Sequence, residues 1–349
     1  MIIYPATYII IAVCSLIDFS KKKIEMLYLV ILALVMLIGF RGFSGADSVN
    51  YIHFFNDYTD TLFNWQGKEK QYTEYGFYYL SVVIKSIWSN IDFYFLIIAF
   101  MTMGLYLKTI KKWSIYPVLS MCVYYSRFMI LREMNQIRGG LAISIVLFCL
   151  FYLTQGDRKK YIIGVLIAMC FHVSTIIALP MVWVYKIRVT FKRALWIILT
   201  TGVLGGVIGF AVKTFLLTYG GIVALTYIDG ASLGLTNPVV IFQILICLAY
   251  IYWGRLISKY QKGYSVIRNA YLYSIVTLLL TSGLGVIGGR LSTIFATCEV
   301  FIIPDLMMVI KPRILGYVLV SLLIGGLFVL NYMKLLDTPD LWKYEIGLI

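Results

Sequence analysis

The chain has 349 residues, of which 61% are hydrophobic and only 13% are charged, and its formal net charge is +14. Soluble globular domains carry about 25% charged residues, so the composition excludes that class. The excess of positive charge is explained by the basic cytoplasmic loops of membrane proteins, and we expect no nucleic-acid partner. Apolar segments of about 17 to 20 residues match a hydrocarbon core of ~30 Å. The sequence therefore predicts an all-α, polytopic integral membrane protein with a single transmembrane domain over residues 1–349.

The apolar runs follow one another along the chain. They cover residues 2–18, 24–40, 91–108, 114–131, 138–154, 160–187, 194–212, 238–257, 269–286, 291–310 and 314–333. The run 160–187 is long for one crossing and has His172 near its middle, so we interpret it as a hairpin of two short helices. Segment 75–90 carries polar residues every three or four positions, which predicts an amphipathic helix lying at the membrane interface.

Loop charges favour this interpretation over a simpler one. It places most of the 30 basic residues in the loops on one side, as the positive-inside rule expects. Treating 75–90 as a span and 160–187 as one crossing would instead move the basic clusters 108–112 and 158–160 outside. We therefore predict about twelve crossings with both termini outside. The outer parts are then 41–90, 132–138, the turn at His172, 213–237 and 283–290.

The predicted outer face collects ionisable residues that are costly near a membrane, which makes it a candidate functional site. They are Arg41, Asp47, Glu74, Arg132, Glu133, Arg138, His172 and Arg290. Arg41 follows a span and could hold a phosphate with two parallel hydrogen bonds, or could be an anchor paired with Asp47. Glu74 begins the interfacial helix, where the helix dipole favours a carboxylate. It could equally act as an acid/base group or orient a hydroxyl.

Arginines near the start of run 138–154 oppose the positive-inside trend. Arg127, Arg132 and Arg138 lie close to one outer boundary, and Glu133 could easily pair with only one of them. We therefore expect a local anion, and Arg290 at another outer helix start could share it. Deeper in the following run, Glu299 or Asp305 could be the counter-ion of an arginine.

Other signals are less specific. The region 51–79 is rich in aromatic residues, among them Tyr51 and Tyr75, which suit either a sugar-stacking platform or an aromatic belt. His172 marks a break in an overlong run, and such breaks are natural ligand sites in membrane proteins. The sequence contains no phosphate-binding loop and no paired-carboxylate or Cys/His metal motif, so we expect no cofactor and no metal.

Taken in order, four patterns resemble the EpsG-like branch of the Wzy-type polysaccharide polymerases. They are Phe40-Arg41-Gly42 with Gly45-Ala46-Asp47 and Tyr51; Glu74-Tyr75-Gly76-Phe77 with Leu80; Asn135-Gln136-Ile137-Arg138 with Leu141-Ala142; and Phe171-His172-Val173-Ser174. The patterns lie within residues 40–180, and the C-terminal half matches only as hydrophobic spans. Gly139 stands where we expect a glutamine or a similar residue.

The resemblance implies a glycosyltransferase of the GT-C type that needs neither metal nor nucleotide. It would polymerise O-antigen or exopolysaccharide repeat units carried on undecaprenyl diphosphate, at the outer face of the bacterial inner membrane. Membrane lipid and a chain-length regulator protein are the implied further partners. In this hypothesis Arg138, Arg41 and Arg290, with Arg132, stabilise the diphosphate, and Tyr51 and Tyr75 contact the glycan. Glu74 or Asp47 activates or orients the acceptor hydroxyl, and His172 binds diphosphate or assists proton transfer.

Two other functions remain open from the residues alone. A flippase or transporter for lipid-linked oligosaccharides would need charges lining a path from both faces and internal pseudo-repeats, and the sequence shows neither. An O-antigen ligase would use the same donor and differ only in its acceptor, which none of these residues identifies.

Overall fold

A computed structural model describes residues 1–64, 73–219, 237–282 and 285–346. Parts of three predicted outer segments, 65–72, 220–236 and 283–284, lie outside these described residues. The described chain is helical, which confirms the predicted class. Its helices are α1 Ile3–Lys21, α2 Glu25–Gly39, α3 Ser48–Asp57, α4 Tyr75–Ile87, α5 Ile91–Trp113, α6 Pro117–Tyr124, α7 Ile130–Glu133, α8 Ile137–Thr154, α9 Arg158–Met169, α10 Met181–Val184, α11 Phe191–Tyr219, α12 Pro238–Tyr252, α13 Gly254–Ile257, α14 Tyr264–Leu280, α15 Gly285–Ala296, α16 Glu299–Leu306 and α17 Arg313–Leu336.

One end of the bundle, called the site end here, joins both chain termini to the loop after α2. Tyr4 Oη donates to the carbonyl oxygen of Trp342 at 3.2 Å. Gly45 N and Ser44 Oγ each lie 2.7 Å from carbonyl oxygens of the C-terminal segment. The start of α1 and the segment 341–343 therefore lie at the end that also carries the candidate residues.

The opposite end gathers the loops that the positive-inside rule placed together. Val118 N donates to Asp18 Oδ2 at 3.4 Å, which joins the α1–α2 loop to the start of α6. Gln261 Nε2 donates to the carbonyl oxygen of Trp113 at 2.9 Å. Asn269 Nδ2 donates to the carbonyl oxygen of Ile187 at 2.9 Å. These contacts hold basic loops together at one end, and the side of the membrane that this end faces stays a prediction.

Five helices of the described chain are long and apolar enough to cross a membrane, namely α1, α5, α8, α11 to Ala211 and α17. A sixth span results if α15 and α16, bent by 52° at their junction, form one crossing. Shorter apolar helices lie at Glu25–Gly39, Val173–Val184 and Pro238–Tyr252. The protein is therefore a multi-pass membrane protein, and the larger number of about twelve crossings stays a prediction.

The run 160–187 reverses direction at its middle, as predicted. After α9 the chain turns at Phe171 and His172 and continues as a 3₁₀ helix, Val173–Ala178. Tyr161 Oη donates to the carbonyl oxygen of Ala178 at 2.8 Å, and Arg158 Nε donates to Tyr185 Oη at 3.4 Å. The hairpin therefore carries His172 to the site end.

Helix α4 is amphipathic, but its polar side faces protein. Ser81 Oγ lies 3.1 Å from Tyr94 Oη, and Lys85 Nζ donates to three carbonyl oxygens around the end of α3, at 2.6 to 2.8 Å. A lysine is favourable there because a helix C-terminus carries partial negative charge. The outward residues are Tyr75, Tyr79, Val83 and Ile87. The face that α4 offers to its surroundings is therefore mainly apolar and aromatic, which suits an interfacial position.

Candidate functional site

Three of the predicted residues form one hydrogen-bonded cluster at the site end. Arg138 Nη1 lies 2.8 Å from Glu74 Oε2. His172 Nδ1 lies 3.2 Å from the other carboxylate oxygen, Glu74 Oε1, which also accepts from Val173 N at 3.1 Å. The single carboxylate of Glu74 thus binds Arg138, which lies 64 positions further along the chain, and His172, which lies 98 positions further. We call this group the Glu74 cluster.

Local backbone structure explains why the three side chains meet. Glu74 is extended at the N-cap of α4, while Arg138 lies in the first turn of α8. Gly76 allows α4 to approach the hairpin turn, because a Cβ at this position would lie only 2.7 Å from the carbonyl oxygen of Cys170. Phe77 N donates to that same oxygen at 3.3 Å. The glycine therefore permits the contact that places Glu74 beside His172.

The environment of Glu74 keeps its carboxylate ionised. Partial burial on its own would raise the pKa of Glu74. The hydrogen bond from His172, the charge of Arg138 and the Val173 N–H outweigh burial and lower the pKa to about 2. Because an ionised carboxylate can only accept hydrogen bonds, His172 Nδ1 must be the donor. His172 Nε2 is then left on the opposite side of the ring.

Arg138 connects the Glu74 cluster to a polar cavity of about 350 Å³, called the Arg138 cavity. Its guanidinium also donates a hydrogen bond to the buried Tyr51 of α3. The cavity is lined by Asp47, Asn50, Tyr51, Phe54, Thr73, Arg138 and Arg290. Arg290 is exposed and forms no hydrogen bond or ion pair with a described residue. Two arginines, one carboxylate and several neutral polar groups therefore face a common space, which suits an anionic, hydroxyl-rich ligand.

Arg41 lies apart from this cavity. Its side chain is 0% exposed, its guanidinium lies 3.9 Å from the centre of the Phe95 ring, and Nη1 donates to the carbonyl oxygen of Glu133. Its Nε and Nη2 atoms have no hydrogen-bond partner among the described residues. Beside it, Gly45 has a φ of +105°, and a Cβ would lie 2.0 Å from the carbonyl oxygen of Met134. Arg41 and Gly45 thus hold the loop after α2 against the segment that leads to Arg138.

Arg132 and Arg290 border a second cavity, of about 370 Å³, together with Arg127. Arg132 donates to Tyr106 Oη at 3.2 Å and to the carbonyl oxygen of Thr293 at 3.3 Å, so it does not use Glu133. The carboxylate of Glu133 accepts instead from Tyr124 Oη.

The counter-ion that the sequence left open is Glu299. Arg127 Nε lies 3.0 Å from Glu299 Oε2, and Tyr271 Oη donates to Glu299 Oε1 at 2.9 Å. Asp305 accepts from Tyr250 Oη and Gln261 Nε2 and pairs with no described arginine. Tyr75 is 69% exposed, stacks on Tyr79 and is not among the residues that line the Arg138 cavity.

Sequence reasoning missed several residues at these cavities. Asn50 and Thr73 line the Arg138 cavity, and Gln243 lines the second one. Asn50 and Thr73 lie next to residues of the first two patterns, which was a usable signal. Gln243 is a polar residue within an apolar run, and only this contrast marked it. In the described part of the chain no three His, Cys, Asp or Glu side chains come together as metal ligands do.

The bundle of apolar helices defines a multi-pass membrane protein, and the cavities lined by arginines are its candidate site. The chain belongs to the EpsG family, whose model matches residues 24–346. It is 22% identical over 309 residues to the amylovoran biosynthesis protein AmsC of Erwinia amylovora, with 85% of this chain and 82% of that protein covered. No solved structure matches the chain.

Proposed function

We propose that the protein is a polysaccharide polymerase that transfers a glycan from a polyprenyl diphosphate onto a lipid-linked repeat unit. Membership of the EpsG family and the similarity to a protein of amylovoran biosynthesis support a role in polysaccharide synthesis. The observation that carries the proposal is the Arg138 cavity, whose lining combines Arg138 and Arg290 with polar groups suited to sugar hydroxyls. Positive groups fixed where a diphosphate leaves stabilise the charge that develops on it.

In this proposal Arg138 and Arg290 bind the leaving diphosphate. The guanidinium of Arg138 is bonded to both Glu74 Oε2 and Tyr51, so its direction is fixed. A guanidinium held in advance of the reaction loses little rotational freedom when it binds an anion.

Asp47 is the better candidate for the acceptor hydroxyl than Glu74. Both oxygens of Glu74 already accept hydrogen bonds, and a pKa of about 2 makes Glu74 a weak base. Asp47 lines the cavity and makes no capping hydrogen bond with its own helix. We therefore assign Glu74 and His172 to positioning Arg138, and Asp47 to accepting or orienting the hydroxyl proton.

The proposal includes the membrane setting. The site end would face the outside of the bacterial inner membrane, with about twelve crossings and a GT-C-like arrangement. The lipid diphosphate is itself the leaving group, so no nucleotide or metal enters the scheme. A chain-length regulator protein is the proposed macromolecular partner.

The test is deletion of the gene in its native strain, followed by gel analysis of the surface polysaccharide and complementation. We expect the ladder of long chains to collapse to single repeat units, and the wild-type gene to restore it. Arg138→Lys and Asp47→Asn should fail to restore the ladder at normal membrane levels. Two matched controls, Arg193→Lys and Asp57→Asn, change exposed residues outside the cavity and should restore it.

Other outcomes would reject the proposal. Loss of every repeat, including the single one, would indicate a flippase or a ligase. A full ladder with Arg138→Lys and Asp47→Asn would remove the Arg138 cavity from the reaction.

A further inference from the structure

The second cavity has a composition that suits the headgroup of a lipid. Arg132 and Arg290 supply positive charge, Arg127 is already paired with Glu299, and Gln136 and Gln243 supply amide groups. Its remaining wall is largely apolar, with Phe128, Leu131, Val239 and Leu278. We call this space the Gln243 cavity. Arginines beside an apolar wall match a ligand that joins a phosphate to a hydrocarbon chain.

Gln243 gives independent evidence that this cavity has a ligand. Its side chain is 4% exposed, and its amide oxygen finds no hydrogen-bond partner among the described residues. A buried amide oxygen without a partner is unfavourable, so such a group is expected to have a partner in the working molecule. The oxygen itself is enclosed, but the residue lines the cavity, so rotation of the Gln243 side chain would bring the amide to a ligand there.

Helix α12 offers a route for the hydrocarbon chain. Val239 and Gln243 line the cavity one helical turn apart, whereas Ile241 and Leu245 on the same helix are 43% and 61% exposed. The outward side of α12 is therefore apolar beside the cavity, as a lipid-contacting surface should be.

Arg290 belongs to both cavities. A group bound by Arg290 can therefore be reached from either side. On the Arg138 side lies the Asp47 carboxylate, and on the Gln243 side lie Arg127 and Arg132. The two spaces differ in character, since one is mainly polar and the other combines charge with an apolar wall.

We propose that the Gln243 cavity binds the lipid side of the donor diphosphate, whose sugar-linked phosphate lies between Arg290 and Arg138, while the rest of the Arg138 cavity receives the acceptor sugar. This assignment rests on the proposed function. The acceptor hydroxyl oxygen would form a bond to the donor's anomeric carbon as the bond from that carbon to the diphosphate oxygen breaks. The diphosphate takes the bonding electron pair beside Arg290, and the hydroxyl proton passes to Asp47.

A binding assay tests the assignment without requiring polymerisation. The probe is undecaprenyl diphosphate, without glycan, titrated into the full-length protein in lipid nanodiscs. Gln243→Glu places a carboxylate in the Gln243 cavity, and Asn50→Asp makes the same chemical change in the Arg138 cavity. We expect Gln243→Glu to weaken binding at least tenfold and Asn50→Asp to weaken it less than threefold, because a diphosphate is repelled by the nearer carboxylate.

Gln243→Leu keeps the test valid if the buried carboxylate prevents folding. It removes the amide without adding charge and should weaken binding several-fold, whereas Gln155→Leu at an exposed site should leave binding unchanged. Inorganic diphosphate competes as a free anion. Competition at least a hundredfold weaker than that of the lipid supports a lipid-headgroup site, and equal competition rejects the lipid part of the proposal.

The remaining outcomes overturn the assignment. A larger loss with Asn50→Asp would place the donor headgroup in the Arg138 cavity, and equal losses would place it at Arg290 alone. Absence of binding by the wild type rejects the inference while leaving the gel test of polymerase activity unaffected. Conversely, a failed gel test with the expected binding pattern would reject the polymerase and retain a lipid-diphosphate site.

Discussion

Two arginine–carboxylate pairs in this protein have similar lengths and different surroundings. Arg138 and Glu74 meet at 2.8 Å with side chains 27% and 17% exposed, and Arg138 borders a polar cavity. Arg127 and Glu299 meet at 3.0 Å with side chains 12% and 0% exposed. In the second pair Tyr271 donates a hydrogen bond to Glu299. In the first pair His172, at the turn of a hairpin, donates one to Glu74.

The difference teaches how to separate function from support among charges in a membrane protein. The Arg127–Glu299 pair is the more deeply buried of the two, and loss of Glu299 would leave the charge of Arg127 without its partner there. A partly open pair can keep one side of its guanidinium for a ligand. We therefore expect the Arg127–Glu299 pair to govern stability and the Glu74 cluster to govern activity.

The largest effect is expected from breaking the enclosed pair. Glu299→Leu leaves the Arg127 guanidinium without its counter-ion and should lower the free energy of unfolding by about 3–5 kcal/mol. Thermal unfolding in detergent, followed by the yield of monodisperse protein, measures this.

Replacing both partners separates charge from packing. The double variant Arg127→Met, Glu299→Leu should recover most of the lost stability, because neither charge remains buried. If the double variant is as unstable as Glu299→Leu, the pair contributes to stability through packing, and the claim that its charges govern stability is rejected.

The Glu74 cluster should respond in the opposite way. Glu74→Gln keeps the side-chain shape but removes the charge that holds Arg138, so polymer synthesis should fall by about 10- to 100-fold. The free energy of unfolding should fall by only about 1–3 kcal/mol, because this pair is partly exposed. Complementation and thermal unfolding of the same variant provide both readouts. A variant with normal polymer and strongly reduced stability would make this cluster structural.

The sequence predicted the residues of the Glu74 cluster but not the hydrogen bonds that join them. Loop charges and the break at His172 placed Glu74, Arg138 and His172 on one face, and the structure joins them. Arg41 has the same sequence signature as Arg138, an arginine at the end of a span, yet it is fully buried beneath Phe95. Spacing along one helix cannot distinguish these cases, because the difference arises where separate segments pack together.

Packing also determines the direction in which the polar side of α4 faces and the partner of Glu299. The polar stripe of α4 was visible in the sequence, but its direction depends on the carbonyl groups at the end of α3, which have no sequence signature. The sequence offers Glu299 or Asp305 as the counter-ion of an arginine, and only the structure selects Glu299, whose partner Arg127 lies 172 residues away.

The pH dependence of thermal stability should reveal the contribution of the Glu74 cluster. The pKa of Glu74 is lowered to about 2 from its ordinary 4.5, so the unfolded chain takes up this proton first as the pH falls. The stabilisation from Glu74 is therefore complete above about pH 4.5 and is lost progressively towards pH 2. Wild type should lose more thermal stability between pH 5 and about pH 3 than Glu74→Gln does. Parallel curves would show that Glu74 is not held in its ionised form.

The smallest effect concerns the space beside His172. A Cβ at Gly139 would lie 3.6 Å from His172 Cδ2, an ordinary contact, whereas a Cβ at Gly140 would lie 2.2 Å from Glu133 Oε2. Gly139→Ala should therefore leave polymer length unchanged and stabilise α8 by up to about 1 kcal/mol, since alanine favours helices. Gly140→Ala, one residue away, should cost about 1–3 kcal/mol through overpacking. Thermal unfolding of the two variants compares them directly. If Gly139→Ala were the more harmful of the two, the turn at His172 would be packed more tightly than an open cluster allows, and the Glu74 cluster would have to be grouped with the enclosed pair.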